Sequence, residues 1–222
     1  MPLVTSIDHL RRDTMSVHTS SSAMPRMQFW FEFGSNYSYL SVMRIEDLAR
    51  RAGVAIDWKP FLLGPIFRDL GWQSSPFALQ EAKGRYVWRD MEREAHKYGL
   101  LFNKPSIFPR TALLPMRVAL LGAGQPWIGA FCRAVMLQNW VEDLDINHPD
   151  QVRQALTGLV ANADEVIRQA QSEANKLRLR EQTAEAQRRG IFGAPMFFAK
   201  NDMFWGNDRL DDALAWAAAD RE

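Results

Sequence analysis

The sequence predicts an α/β fold, with a strand–helix–strand unit at the front, a long helical block, and a strand–strand–helix unit at the end. Three observations predict it. Apolar residues alternate from Met27 to Phe33 and again at Val54, Ile56 and Trp58, with a helical pattern between them. From Gly64 to Arg189 the apolar spacing is almost entirely helical. After Gly190 two short apolar runs, Met196–Ala199 and Met203–Trp205, flank Lys200-Asn201-Asp202, a hairpin signal.

Each element has its own punctuation. The first alternating run stops at Gly34, and Ser35-Asn36-Tyr37-Ser38 opens the first helix, with Val42, Ile45, Ala49 and Ala52 on one face and Gly53 suited to its C′ position. The second strand ends at Pro60. Two strands joined by one helix imply a parallel pair with a right-handed crossover. In the helical block, Ser75-Pro76 reads as an N-cap with proline at N1, and Gly99 closes that helix. His148-Pro149 opens another, with Val152, Ala155, Leu156 and Leu159 in register. Asn162 with Glu165 resembles a capping box, and the spacing predicts one helix from there to Gly190. Asn207 or Asp208 is the expected cap of a final helix bearing Leu210, Ala213, Leu214 and Ala217. The order β-α-β, helices, β-β-α is that of a thioredoxin-like fold split by a large all-helical insertion. Residues 27–62 and 190–222 form the thioredoxin-like domain in this reading, and 63–189 the insertion domain. Residues 1–26 are polar, lack helical periodicity and carry no apolar secretory core, so they read as a disordered extension, or as sequence ahead of a true start at Met24 or Met27.

Composition narrows the function. The chain has 222 residues, 47% of them hydrophobic, enough for one sizeable core. A net charge of +1 gives no global field favouring nucleic acid or an anionic membrane, and no apolar run is long enough to span a bilayer. The single cysteine, Cys132, forbids an internal disulfide and fits a reducing, cytoplasmic setting. It lies in a helical pattern beside Phe131 and Val135 and reads as buried and inert. No Cys/His cluster has metal-ligand spacing. "GAGQPWIG" at Gly122 is no dinucleotide fingerprint, because Pro126 breaks it and no strand leads into it.

Three short segments carry chemistry. In "FEFGSNYSYL", Ser35 sits between a strand and the first turn of a helix, where backbone N–H groups stabilise an anion. No histidine or lysine lies nearby in sequence to activate it. Ser35 is therefore either a plain N-cap or a hydrogen-bond donor to a thiolate that another molecule brings, and the residues alone leave both open. In "GIFGAPMFF", Ala194-Pro195 precedes a strand; a cis bond there would leave the Ala194 N–H and C=O free for an extended peptide. In "MFWGNDRL", Trp205-Gly206-Asn207-Asp208 joins a strand end to a helix start, where Asn207 and Asp208 act as caps, or where the helix N-terminus and the Asp208 carboxylate hold a ligand bearing an amine and a carboxylate. Eight tryptophans are consistent with an aromatic substrate pocket.

Taken together and in this order, these segments resemble the 2-hydroxychromene-2-carboxylate isomerase family, grouped with kappa-class glutathione transferases and more remotely with bacterial disulfide oxidoreductases. "FEFGSNYSYL" is similar to the family's strand followed by Ser-Pro-x-Ser-Tyr-Leu, and "GIFGAP" and "WGNDRL" to its two later motifs. The resemblance covers essentially 27–222. It implies glutathione as cofactor, with Ser35 stabilising its thiolate, Ala194 and Pro195 meeting its cysteinyl part, and Trp205, Gly206, Asn207 and Asp208 lining its γ-glutamyl end. Phe67, Arg68, Trp72 and Phe108 are the implied contacts to a small aromatic or conjugated acid, and a homodimer is the implied assembly. Asn36 stands where the family usually has proline, Thr111 where asparagine often follows Phe-Pro, and Phe67 where a cation can meet the substrate carboxylate, with Arg68 adjacent. The expected activity is glutathione-dependent isomerisation. The alternatives are a kappa-type transferase or peroxidase and a non-catalytic thioredoxin-like binding module. Dithiol cycling through an internal disulfide is excluded by the single cysteine.

Overall fold

In the computed structural model, residues 24–219 are described. All but the last three residues of the expected 1–26 extension lie outside them. The elements are β1 (Arg26–Phe31), α1 (Asn36–Val42), α2 (Ile45–Ala52), β2 (Ala55–Pro60), α3 (Leu63–Asp69), α4 (Pro76–Leu79), α5 (Glu81–Lys97), α6 (Leu113–Gly122), α7 (Ile128–Trp140), α8 (Pro149–Leu156), α9 (Ala163–Ala170), α10 (Glu173–Arg188), β3 (Met196–Ala199), β4 (Asp202–Trp205) and α11 (Leu210–Ala218). The strands form one sheet in the order β2-β1-β3-β4. β1 runs parallel to β2, with Phe29 opposite Trp58, and antiparallel to β3, with Phe29 opposite Phe197. β4 returns antiparallel to β3, with Trp205 opposite Met196. This is the thioredoxin-like arrangement that the element order predicts.

The alternation in β1 sends its residues to two apolar faces, as expected of a central strand covered on both sides. Phe29, Phe31 and Phe33 face the larger core. Phe29 stacks on Phe31 at 5.1 Å and on Phe197 at 5.3 Å between ring centroids. That core continues into the helical block, where Phe33 meets Phe131 of α7 edge-on at 6.2 Å. Trp30 points the other way, into a smaller cluster with Phe61, Leu63, Ile66, Ala186, Ile191, Met196 and Phe198. Each ring buried in this way contributes about 2–3 kcal/mol.

Several elements are shorter than the periodicity suggests. The expected first helix breaks at Met43-Arg44 into α1 and α2. The Arg44 side chain turns back to donate to the Leu40 carbonyl, and its backbone N–H bonds Ser41. The helix predicted from Asn162 to Gly190 also breaks, because Ser172 caps a new helix by accepting from the Asn175 N–H. Asn162 caps α9 through the Glu165 N–H as expected. His148 caps α8 by accepting the Asp150 N–H, but that helix ends at Leu156 ahead of Gly158, whose φ is 75°. Neither Asn207 nor Asp208 caps the last helix. Asn207–Arg209 form a 3₁₀ turn, and Arg209 precedes α11 with no side-chain cap.

Candidate functional site

The strand-to-helix turn after β1 is held from three directions. Its Phe33 carbonyl accepts hydrogen bonds from Asn139 Nδ2 at 3.0 Å and Trp140 Nε1 at 3.1 Å, both at the end of α7. A Cβ on Gly34 would stand 3.2 Å from the Arg110 carbonyl, so the loop through Phe108, Pro109 and Arg110 presses directly on the turn. The Arg110 guanidinium is buried and fixed by the Asn139 side chain, the Leu144 carbonyl and Asp143, the last at 2.6 Å. Ser106 and Arg110 together hold the Asp143 carboxyl down at about 2. The third constraint is the Ser35 N–H, which donates to the Glu32 carbonyl at 3.1 Å.

Ser35 makes two side-chain hydrogen bonds. Its oxygen accepts the Ser38 N–H at 3.2 Å, which caps α1, and its hydroxyl donates to the Ala194 carbonyl at 2.8 Å. Ser35 is thus a cap, and it also joins the two segments that sequence places 159 residues apart. The Ala194-Pro195 bond is cis, as is Phe108-Pro109. Pro195 is tied to the third segment, since its carbonyl accepts the Gly206 N–H at 3.0 Å. The first-turn residue Asn36 is 2% exposed, and its carboxamide nitrogen has no hydrogen-bond partner among the described residues.

The Trp205–Asp208 segment divides into an open and a closed part. The Trp205 ring is 55% exposed, meets Phe192 edge-on at 4.9 Å and lies across Gly193, where a Cβ would come within 2.8 Å of its Nε1. Glycine at 193 is therefore required by packing. Gly206 has φ 105°, and a Cβ there would clash with Asp208 Oδ1 at 2.5 Å. The Asp208 carboxylate faces solvent, with Arg209 at 3.8 Å. Asn207 is turned inward and is 3% exposed. Its Oδ1 accepts from Ser41 at 3.2 Å and Arg44 at 2.8 Å, and its Nδ2 reaches the Tyr98 hydroxyl at 3.4 Å. Arg44 also lies over the Tyr98 ring at 3.7 Å. The Asn207 side chain is thus a buried tie between α1, the turn after α1 and the end of α5.

The expected substrate contacts lie on two sides of the turn. Phe67 packs on the small cluster that also takes Ala194, and its ring is 5.7 Å from Trp72, which is partly exposed. Arg68 is exposed, and its Nη1 curls back to 3.7 Å from where a Cβ on Gly64 would stand. Phe108 is on the opposite side, edge-on to Trp88 at 4.7 Å and 6.3 Å from Trp140. Phe67, Arg68 and Trp72 therefore form one group, and Phe108 belongs to another wall. Cys132 is fully buried in α7, and burial raises its thiol well above the ordinary range, so the chain offers no reactive thiol of its own. Sequence reasoning passed over the residues that fix the turn, Arg110, Asn139 and Trp140. No local pattern marks them, because a buried arginine in a loop reads like any exposed one.

A sequence profile described as a DSBA-like thioredoxin domain matches residues 26–215. A 2-hydroxychromene-2-carboxylate isomerase from Sphingobium xenophagum is 31% identical over 185 residues, which is 83% of this chain and 94% of the relative. Glutathione S-transferase kappa 1 from Rattus norvegicus is 24% identical, over 83% of this chain and 87% of its own. Among solved structures, a 2-hydroxychromene-2-carboxylate isomerase superposes with a TM-score of 0.74 at 26% identity, covering 83% of this chain and 90% of that one. The chain belongs to the DSBA-like thioredoxin family and, within it, to the 2-hydroxychromene-2-carboxylate isomerases.

Proposed function

We propose that this protein is a glutathione-dependent isomerase acting on a small aromatic or conjugated carboxylate. The observation that carries the reading is the Ser35–Ala194 hydrogen bond across the cis-proline loop, in a chain whose one cysteine is buried elsewhere. A thiol-handling turn without a thiol suits a thiol delivered by a ligand. The residues fit glutathione. The Ser35 hydroxyl can turn from the Ala194 carbonyl to a sulfur, the Ala194 backbone flanks an extended cysteinyl unit, and Trp205 with Asp208 offers an aromatic face and a carboxylate to the γ-glutamyl end. When bound, glutathione supplies a nucleophilic thiolate that adds reversibly to a conjugated bond and leaves again. The chain orients it, donates the Ser35 hydrogen bond and, through Phe67, Trp72 and Arg68, holds the acid. In this reading the Asn207 side chain acts indirectly, by fixing the Gly206–Asp208 backbone.

The test is calorimetric binding of glutathione, followed by conversion of 2-hydroxychromene-2-carboxylate with total glutathione measured before and after. Binding, conversion and unchanged glutathione support the isomerase. The kappa-class relatives support a second reading, transfer of glutathione to an electrophile, which consumes it. Absence of binding would leave a thioredoxin-like binding module. We read the protein as a cytoplasmic homodimer. The single cysteine supports the compartment, and among the described residues no helix is long and apolar enough to cross a membrane.

A further inference from the structure

Glu32 holds the turn through its carbonyl, but its side chain makes none of the hydrogen bonds that join Ser35, Ala194 and Asn207. It follows β1 on the face that carries Trp30, and it is half-buried. Its Oε2 lies 3.8 Å from where a Cβ on Gly34 would stand, one residue from Ser35. Its carboxyl also faces the Leu63 N–H at the start of α3. The carboxyl therefore lies between the Ser35 turn and the start of α3, and Leu63 there packs in one cluster with Phe67 and Ala194. Among the described residues no arginine, lysine or histidine is within ion-pair distance of it.

Among the described residues the charged groups on the surrounding elements make no ion pair with it. Arg68 on α3 folds back along Gly64, Arg110 is committed to Asp143, Lys59 stands beside Trp30 on the same face of the sheet without pairing to Glu32, and Arg189 lies over Phe198 while bonding Gln28. α10 meets the β2–α3 junction through the neutral Gln182 and Thr183, while its Glu185 pairs with Arg188. An unpaired, half-buried carboxyl is costly. Burial pushes this carboxyl up to about 7, against the smaller opposing pull of the Leu63 N–H.

We propose that Glu32 is the proton carrier of this site, taking the proton of the glutathione thiol bound at Ser35 and returning it before release. In the forward transfer the S–H bond breaks, its electron pair stays on sulfur, and an O–H bond forms on a Glu32 oxygen, directly or through one water. The reverse transfer restores both groups, so no external base is used. Ser35 donates its hydrogen bond to the sulfur while Glu32 is neutral, and the site never holds two negative charges side by side. This role rests on the glutathione reading above and assigns the proton step within it.

Two measurements on glutathione complexes test it. At pH 8, ultraviolet absorbance gives the thiolate formed, and calorimetry in two buffers of different ionisation enthalpy gives the protons released. The wild type should release far less than one proton per thiolate, because Glu32 keeps it. Glu32→Gln should release about one proton per thiolate or form no thiolate at all. Independently of any variant, the ¹³C carboxyl signal of Glu32 in the wild type should be that of an ionised group without glutathione at pH 8 and of a protonated one with it. Equal proton release per thiolate in both proteins, or an ionised Glu32 signal in both states, would overturn the proposal and leave the glutathione reading intact. Failure of the wild type to bind glutathione would overturn both.

Discussion

The two ends of the candidate site are built differently. At the Ser35–Ala194 end the groups are buried and already hydrogen-bonded to one another, with the turn clamped by Asn139, Trp140 and Arg110. At the Trp205–Asp208 end the ring and the carboxylate stand in solvent, and the inward-facing Asn207 beneath them carries the structure. A buried end of this kind fixes geometry before a ligand arrives, whereas an open end contributes contact area and discrimination. Ser35 and Asn207 are therefore parts of the fold, and Trp205 and Asp208 can change with little effect on it.

The largest expected effect is at Ser35. Ser35→Ala should lower isomerase turnover by roughly 10²-fold, as loss of one donor to a developing anion does elsewhere. It should also reduce stability by about 1 kcal/mol through loss of the α1 cap. Turnover and urea midpoint measured together would break the comparison if either were unchanged. Next, Asn207→Ala leaves Ser41 and Arg44 without their shared acceptor, and urea unfolding should show a loss of about 2–3 kcal/mol.

Glu32 gives a pH signature. Its folded-state value is raised, so the folded protein binds more protons than the unfolded chain between the ordinary glutamate range and about 7, and stability falls as pH rises through that window. Glu32→Gln removes this fall. Relative to the wild type it should gain on the order of 1–2 kcal/mol between pH 4.5 and pH 8, after allowance for solvent screening. Chemical unfolding at the two pH values checks the sign.

At the open end, Trp205→Ala should weaken glutathione binding about 5–10-fold, or about 1 kcal/mol, while its melting temperature stays close to that of the wild type. A large drop in melting temperature would show that the ring is structural. The smallest effect is at Asn36, whose buried nitrogen is unpartnered. Proline is favoured at N1 and needs no donor there. Asn36→Pro should therefore stabilise the protein by about 0.5 kcal/mol with glutathione affinity retained, as thermal unfolding and calorimetry would show.

Period and punctuation made the frame legible. The β1 alternation, the Met196–Ala199 and Met203–Trp205 hairpin, and the glycines at 53 and 190 read correctly because each depends on neighbours a few residues away, whereas the helix opened by Ser75-Pro76 stops at Leu79 and Gly99 follows the next one, α5. The breaks at Met43-Arg44 and Gln171-Ser172 were hidden, because apolar spacing continues across them while the Arg44 side chain donates to the Leu40 carbonyl and the Ser172 hydroxyl accepts the Asn175 N–H. At the site, the sequence marked Ser35, Ala194-Pro195 and Trp205–Asp208 as candidates. It left Ser35 undecided between cap and donor, and it presented Asn207 as equivalent to Asp208.

By itself, then, the sequence determined the order of elements, the two-sided apolar character of the central strand and the absence of a usable thiol. These follow from residue type and local period. Tertiary structure alone decided that Ser35 reaches Ala194, that Asn207 faces Arg44 and Tyr98, that Arg110 braces Gly34, and that among the described residues no cation meets Glu32. Hydrogen bonding and desolvation between residues distant in the chain depend on which groups folding brings together, and no local spacing encodes that.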